Sequence, residues 1–264
     1  MVKSLSKALK VLKLFSEEKN EWHLNELIEA TGFHKSSIQR LVKTLEEEGF
    51  LERVPAERTT FRLGLQMFIL GRMADPYNQL RAVARPSMEK LVAATGETSH
   101  LCVADQAQSL YIMKLDSPSI MRMVTRPGLR LPLHCTAIGK VLLSGMDESG
   151  VDDVIRERGL PRFTKNTVTA RKDLLREIEK IRREGMAVDR EEREIGLKCI
   201  AAPVYDNRAR VIAAVSISGP AQRITKNVIP TFGTRVKEAS AEISKRLGFR
   251  NDHERRGKIR TTAH

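Results

Sequence analysis

HLNELIEATGFHKSSIQRLVKTLEEEGFLERV, residues 23–54, holds two short amphipathic runs separated by a glycine. Asn25 is placed to cap the first run, whose Leu27, Ile28 and Ala30 share a face before Gly32 ends it. The second run spans about Lys35 to Glu48, with Ile38, Leu41, Val42 and Leu45 as its buried stripe. Two short helices joined by a tight glycine-containing turn make a helix-turn-helix, whose second helix enters the major groove. Setting the stripe aside leaves Lys35, Ser36, Ser37, Gln39, Arg40 and Lys43 exposed near the start of that helix. Gln39 carries the amide that pairs with an adenine edge, Arg40 can grip guanine or phosphate, and the serines can bond either base edges or backbone. Glu46, Glu47 and Glu48 fall at the far end, away from the phosphates. After Gly49, FLERVPAERTTFRL reads as two short strands around a turn. Such a wing places Arg58 near its tip, against phosphate or the minor groove.

Outward from this stretch, residues 4–18 carry Leu5, Ala8, Leu9, Leu12 and Phe15 at helical spacing, which predicts a preceding amphipathic helix. On the other side, LQMFILGRMAD, residues 65–75, repeats Leu65, Phe68, Ile69 and Met73 until Pro76 interrupts it. That stripe is either a dimer seam or a face packed on its own domain. Paired half-sites favour dimeric readers of this kind.

The totals set bounds on the rest. A chain of 264 residues allows one large domain or two modest ones, and 41% apolar content is that of a globular protein. The most apolar run, VIAAVSIS at 211–218, is too short to cross a bilayer, and the lysine-interrupted start lacks the unbroken centre of a signal peptide. Three widely separated cysteines, Cys102, Cys135 and Cys199, suit a reducing cytoplasm. The net charge of +13 suggests nucleic acid, yet residues 1–64 hold 11 basic and 10 acidic side chains. Placement of charge, rather than its sum, must serve DNA binding there.

From 77 onward the pattern changes. A helix to about Ala94, with Pro86 as a kink or restart, leads into three strand-like runs, TSHLCVAD, SLYIMKLD and SIMRMVTR. LPLHCTAIGKVLLSGM follows, then a charged helical section at 147–184, strands near 186–190, 199–205 and 211–218, and a last helix over 226–247. This order predicts an α+β domain, an antiparallel sheet flanked by helices.

LPLHCTAIGK, residues 131–140, allows several chemistries. A phosphate loop fails: its leading glycine is missing, and Val141 stands where Ser or Thr must follow the lysine. Adjacent His134 and Cys135 diverge, so a thiol enzyme would need another histidine, such as His100. A zinc site, catalytic or sensory, could draw on His100, Cys102, Cys135 and Cys199, but their spacing matches no compact zinc signature. The remaining reading is a pocket floor. Thr136 can cap a helix AIGKVLLSGM, whose first N–H groups then attract a carboxylate. Ser216 and Ser218 in VSISG project from one strand face and can offer two hydroxyls to the same ligand. The bland alternative is that Thr136 only caps its helix and the serines satisfy neighbouring backbone.

The helix-turn-helix with the blocks LPLHCTAIGKVLLS, EEREIGLKCIAAPVYD and VIAAVSISGP, in this order, resembles the IclR-type bacterial transcriptional regulators over nearly the whole chain. The resemblance implies a winged helix-turn-helix over 1–64, a linker helix at 65–76, a GAF-like effector-binding domain over 77–249 and a basic tail at 250–264. It implies a cytoplasmic homodimer or tetramer that binds an operator in double-stranded DNA and a small organic acid, with no catalytic, metal or cofactor site. Matched by position, the effector pocket comprises Leu131, Ala137, Ile138, Asp189, Leu197, Cys199, Ser216 and Ser218. Some relatives have Gly-Ala where this chain has Ala137-Ile138, and the larger side chains reshape the cavity. An ionised Asp189 would repel an acid unless it accepts a bond from a ligand hydroxyl, so a hydroxylated acid is expected.

Overall fold

The computed structural model describes residues 2–16, 19–55, 57–119 and 125–250, without the side chains of Arg58 and Arg72. The chain divides between Pro76 and Tyr77 into two compact units.

The first unit runs α1 (Lys3–Leu12), β1 (Glu21–His23), α2 (Leu24–Thr31), α3 (Lys35–Glu47), β2 (Leu51–Val54), β3 (Glu57–Leu63) and α4 (Leu65–Met73). Its core gathers Val11, Leu27, Ile38, Val42, Leu45, Leu51 and Phe61 from three helices and two strands. Each large apolar side chain fully buried there contributes about 1.5–3 kcal/mol. Gly32 ends α2 at φ 66°, a left-handed conformation that admits glycine without a Cβ clash. The chain thereby turns sharply enough to start α3 three residues later.

Several sequence expectations are corrected here. Asn25 lies inside α2, and the cap is His23, whose Nδ1 accepts the Asn25 N–H at 3.2 Å while Glu26 takes the His23 N–H at 2.9 Å. Glu26 closes the box from the helix side. Ala30 is exposed, because α2 is only eight residues long and Leu27 alone is fully buried on it. The first helix stops at Leu12 and buries Val11, leaving Leu5 and Leu9 exposed. The face turned to the core is thus Ala8, Val11 and Leu12. A third strand, β1, pairs antiparallel with β3, so the wing sheet has the order β1-β3-β2.

The second unit begins with α5 (Asn78–Thr95), which is helical straight through Pro86, so Pro86 does not restart it. Then come β4 (Thr98–Asp105), β5 (Gln108–Leu115), β6 (Arg130–Pro132), α6 (Ala137–Ser144), α7 (Glu148–Arg158), α8 (Arg171–Glu184), β7 (Ala187–Arg190), β8 (Leu197–Tyr205), β9 (Val211–Pro220) and α9 (Ile229–Arg246). The charged section at 147–184 is two helices separated by a non-helical stretch over 159–170, and the strand expected over 119–126 falls largely on residues 120–124, outside the described residues. So does the tail beyond residue 250.

All pairings in the six-stranded sheet β6-β5-β4-β9-β8-β7 are antiparallel. Alternation along the strands sends Leu101, Ile200, Val215 and Ile217 to one face, where α5 and α9 supply Met88, Leu91, Val236 and Ile243. The other face turns Cys102, Tyr111, Ala187, Ala201 and Ala214 toward Ile138, Val141 and Leu142 of α6 and Leu174 and Ile178 of α8. Small residues under α6 let it lie close to the strands. Gly139 lets α6 approach the backbone just after β6, since a Cβ there would stand 2.3 Å from the Leu133 carbonyl oxygen. The result is an α+β domain with helices on both faces of the sheet.

Candidate nucleic-acid interface and ligand cavity

On α3, Lys35, Ser36, Gln39, Arg40 and Lys43 are exposed and Ser37 is half-buried, while Ile38, Val42 and Leu45 face the core. The polar residues therefore share the outer side of one helix, near its N-terminal end. His34 caps this helix, accepting the Ser36 N–H at 3.4 Å, and its Nδ1 lies 2.9 Å from Ser36 Oγ. The Ser36 hydroxyl is thus held by the cap in the DNA-free chain, a role the sequence reading did not assign to His34. Lys43 faces Glu47 at 3.7 Å with both side chains mostly exposed, an ion pair of little strength in water. Glu46 turns to the wing, where Arg53 donates to its two carboxylate oxygens at 2.6 and 2.9 Å. That pair anchors β2 to α3. Arg58 belongs to β3, and its side chain lies outside the described residues.

In the second unit a cavity of about 120 Å³ opens between the start of α6, the ends of β7, β8 and β9, and β5. A volume of that order accommodates a benzene-sized molecule. Leu131, Ala137, Ile138, Asp189, Leu197, Cys199 and Ser218 line it, as do Thr136, Tyr111 and Arg193. Ser216 does not. It faces the same side of β9 as Ser218 but sits deeper in the sheet, paired with His100 and Ala201. Its Oγ is buried with no hydrogen-bond partner among the described residues.

Thr136 caps α6, its Oγ1 accepting the Gly139 N–H at 3.0 Å. The N–H groups of Ala137 and Ile138, in the first turn, have no carbonyl one turn earlier within the helix, and both residues border the cavity. Their partial positive charge suits an anion. Across the cavity, Asp189 is 2% exposed. Burial pushes its carboxyl up to about 7, with Glu192 and Glu191 adding repulsion, against the pull of the Glu192 N–H and Lys140. The Glu192 N–H donates to Asp189 Oδ1 at 2.8 Å. Near neutral pH Asp189 is therefore less fully ionised than an ordinary carboxylate and repels an anion less.

Beneath them, the His100 ring bridges Thr125 Oγ1 at 2.6 Å and Ser218 Oγ at 3.5 Å, and packs edge-on against Tyr111. Burial, helped by Lys114, drives His100 down to about 3, so it is a neutral relay between hydroxyls. Lys140 does not enter the cavity. Its fully buried Nζ lies 2.6 Å from Glu192 Oε1 and 3.5 Å from Glu177 Oε2, and donates to the Val188 carbonyl at 3.3 Å. It pins the loop after β7 to α6, a structural role that the Gly-Lys pair did not disclose in sequence.

The thiol and metal readings find no geometry to support them. Cys102 and Cys199 are pushed well above the usual thiol range by burial and Cys135 up to about 12, so none is a poised thiolate. His134 is turned to the Pro161 carbonyl, 3.0 Å away. Among the described residues no group of three or more His, Cys, Asp or Glu side chains could hold a metal ion. No helix among them is long and apolar enough to cross a membrane.

A winged helix-turn-helix joined to a sheet domain with a ligand-sized cavity is the architecture of a bacterial transcriptional regulator. Residues 77–245 match the family described as bacterial transcriptional regulator IclR C-terminal, and residues 4–55 match the IclR helix-turn-helix domain. The chain belongs to the IclR family. It is 31% identical over 249 residues to the HTH-type transcriptional regulator XynR of Escherichia coli, covering 94% of this chain and 98% of that one. With KdgR of Dickeya chrysanthemi it shares 35% over 248 residues, covering 94% and 81%. Among solved structures it is similar to the Thermotoga maritima IclR, at a TM-score of 0.78 and 31% identity over 94% of this chain and 100% of that one. An IclR homolog from Microbacterium hydrocarbonoxydans complexed with 4-hydroxybenzoate gives a TM-score of 0.84 at 25% identity, covering 93% and 99%.

Proposed function

We propose that this chain is a ligand-responsive operator-binding regulator whose second unit senses a small hydroxylated organic acid. The observation that carries the reading is the cavity itself: an open helix terminus at Ala137 and Ile138 shares it with Asp189, whose carboxyl burial pushes up to about 7. The acid group lies at the helix terminus, and a ligand hydroxyl reaches Asp189 or the Ser218–His100–Thr125 chain. The complex of the Microbacterium homolog with 4-hydroxybenzoate, a hydroxylated acid, supports that chemistry.

In the first unit, Gln39 and Arg40 read base edges from the major groove, while Lys35, Ser37 and Lys43 engage phosphates. The regulator works as a homodimer or tetramer in the cytoplasm. Support for assembly comes from α4, whose Leu65 and Met73 are 67% and 81% exposed. Ligand then alters operator affinity by the difference in its own affinity for the two arrangements of the assembly. Thermal unfolding across a panel of hydroxylated carboxylates tests the pocket. A ligand at a hundred times its Kd stabilises by about 2.7 kcal/mol, and a panel without any shift contradicts the reading.

A further inference from the structure

Arg193 stands apart from its neighbours on the loop after β7. Glu191 accepts the Gly196 N–H at 2.8 Å, and Glu192 is taken by Lys140. The Arg193 guanidinium lines the cavity and stacks over the Phe163 ring, 4.1 Å from its centre. Its Nε is buried without a hydrogen-bond partner among the described residues, and none of the ion pairs there includes it. Other arginines of this unit meet carboxylates, as Arg171 meets Asp152 and Arg223 meets Glu97. A buried donor on a guanidinium is costly to leave unmatched, which points to a partner supplied from outside the chain.

The loop is built to hold this group in place. Thr164 Oγ1 donates to the Glu191 carbonyl at 2.7 Å, Thr167 Oγ1 to the Glu192 carbonyl at 2.6 Å, and Asn166 Nδ2 to the Arg190 carbonyl at 3.1 Å. The Phe163 ring beneath the guanidinium adds a cation–π contact that restrains it. The Arg193 charge is felt at the Cys135 thiol, one residue before the Thr136 cap, where it opposes the rise that burial imposes. Arg193 borders the same cavity as Ala137 and Ile138 in the open turn of α6.

We propose that Arg193 is a specificity-determining residue of the cavity, the ion-pair partner of the ligand's carboxylate, so that the ligand class is short carboxylic acids bound acid-first. The inference rests on the acid-pocket reading and sharpens it. A helix terminus alone accepts any small anion, whereas a forked guanidinium discriminates a carboxylate from its neutral amide. The hydroxyl-bearing end of the ligand is left to Asp189 and Ser218.

The test is calorimetry of the full-length native protein, Arg193→Gln and Arg193→Lys with a panel of hydroxylated carboxylic acids, 4-hydroxybenzoate among them, and the matching amides. Thermal unfolding shows that each variant is folded. Expected is binding of at least one acid but not its amide, weakened about 10- to 100-fold in Arg193→Gln and less in Arg193→Lys, which keeps the charge but not the fork. Equal acid affinity in all three proteins overturns the role of Arg193 while leaving the acid pocket standing. Failure of every acid to bind the native protein removes both. An amide that binds as tightly as its acid also contradicts the ion pair.

Discussion

On the proposed reading, Asp189 and Arg40 are single residues that serve the two functions. The Asp189 carboxyl is raised by burial from its ordinary value of 3.8 to about 7. For an acid raised on folding, the stabilising contribution is whole below the unfolded value and is lost as pH rises through about 7. Asp189→Asn keeps an oxygen for the Glu192 N–H but cannot ionise. Relative to the native chain it should gain stability on the order of 4 kcal/mol above pH 7 and little at pH 4, as chemical denaturation at the two pH values will show. An equal effect at both pH values would mean that Asp189 does not titrate in this range. Arg40, exposed on α3, should cost about 1–3 kcal/mol of operator affinity when replaced by alanine, with relaxed base preference if it reads an edge. Binding measured on operator variants decides, since a uniform loss across sequences marks a phosphate contact instead.

At the scale of elements, α6 sets the cavity because Gly139 lets it press against the Leu133 backbone. An added Cβ would come within 2.5 Å of Leu133 Cα as well as its carbonyl, and neither can rotate away. Gly139→Ala should therefore lower stability by about 2 kcal/mol or more and weaken ligand binding by displacing the helix terminus. A thermal midpoint within 1–2 °C of native would contradict that approach. The elements were unevenly legible in the sequence. The stripe of Ile38, Val42 and Leu45 follows the helical period and the β4 and β9 runs are continuous strand-like stretches, and the structure has a helix and two strands there. The Thr136 cap of α6 followed from pattern, whereas the caps of α2 and α3 did not, because His23 and His34 act through a ring nitrogen that general cap preferences favour less than Asn25. The short β1 and β6 were missed because three-residue strands have too little alternation to read, and exist only through pairing with β3 and β5. Within the site, residue spacing put Ser216 and Ser218 on one face, but only the fold shows which of them reaches the cavity. Arg193 and Tyr111 were invisible for the same reason: their place depends on Phe163 and on the packing around His100, remote in sequence.

For the molecule as a whole, a net charge of +13 hides a nearly neutral reading head, so operator affinity rests on where α3 and the wing place their cations. In the proposed assembly two half-sites engaged together would multiply the affinity of one. Replacing Leu65 and Met73 together by glutamate should lower the oligomeric order seen by light scattering and weaken operator binding with it. An unchanged mass would place the interface elsewhere. The central claim is that filling the cavity is felt by the reading head. It is tested most directly by fluorescence anisotropy on an operator found by footprinting the DNA beside the protein's own gene, with and without the acid that most stabilises the native chain. The account predicts a change in operator affinity of about 5- to 150-fold in the native protein, lost when Leu197→Trp fills the cavity. An operator affinity indifferent to a bound acid, or a full response in Leu197→Trp, would contradict it.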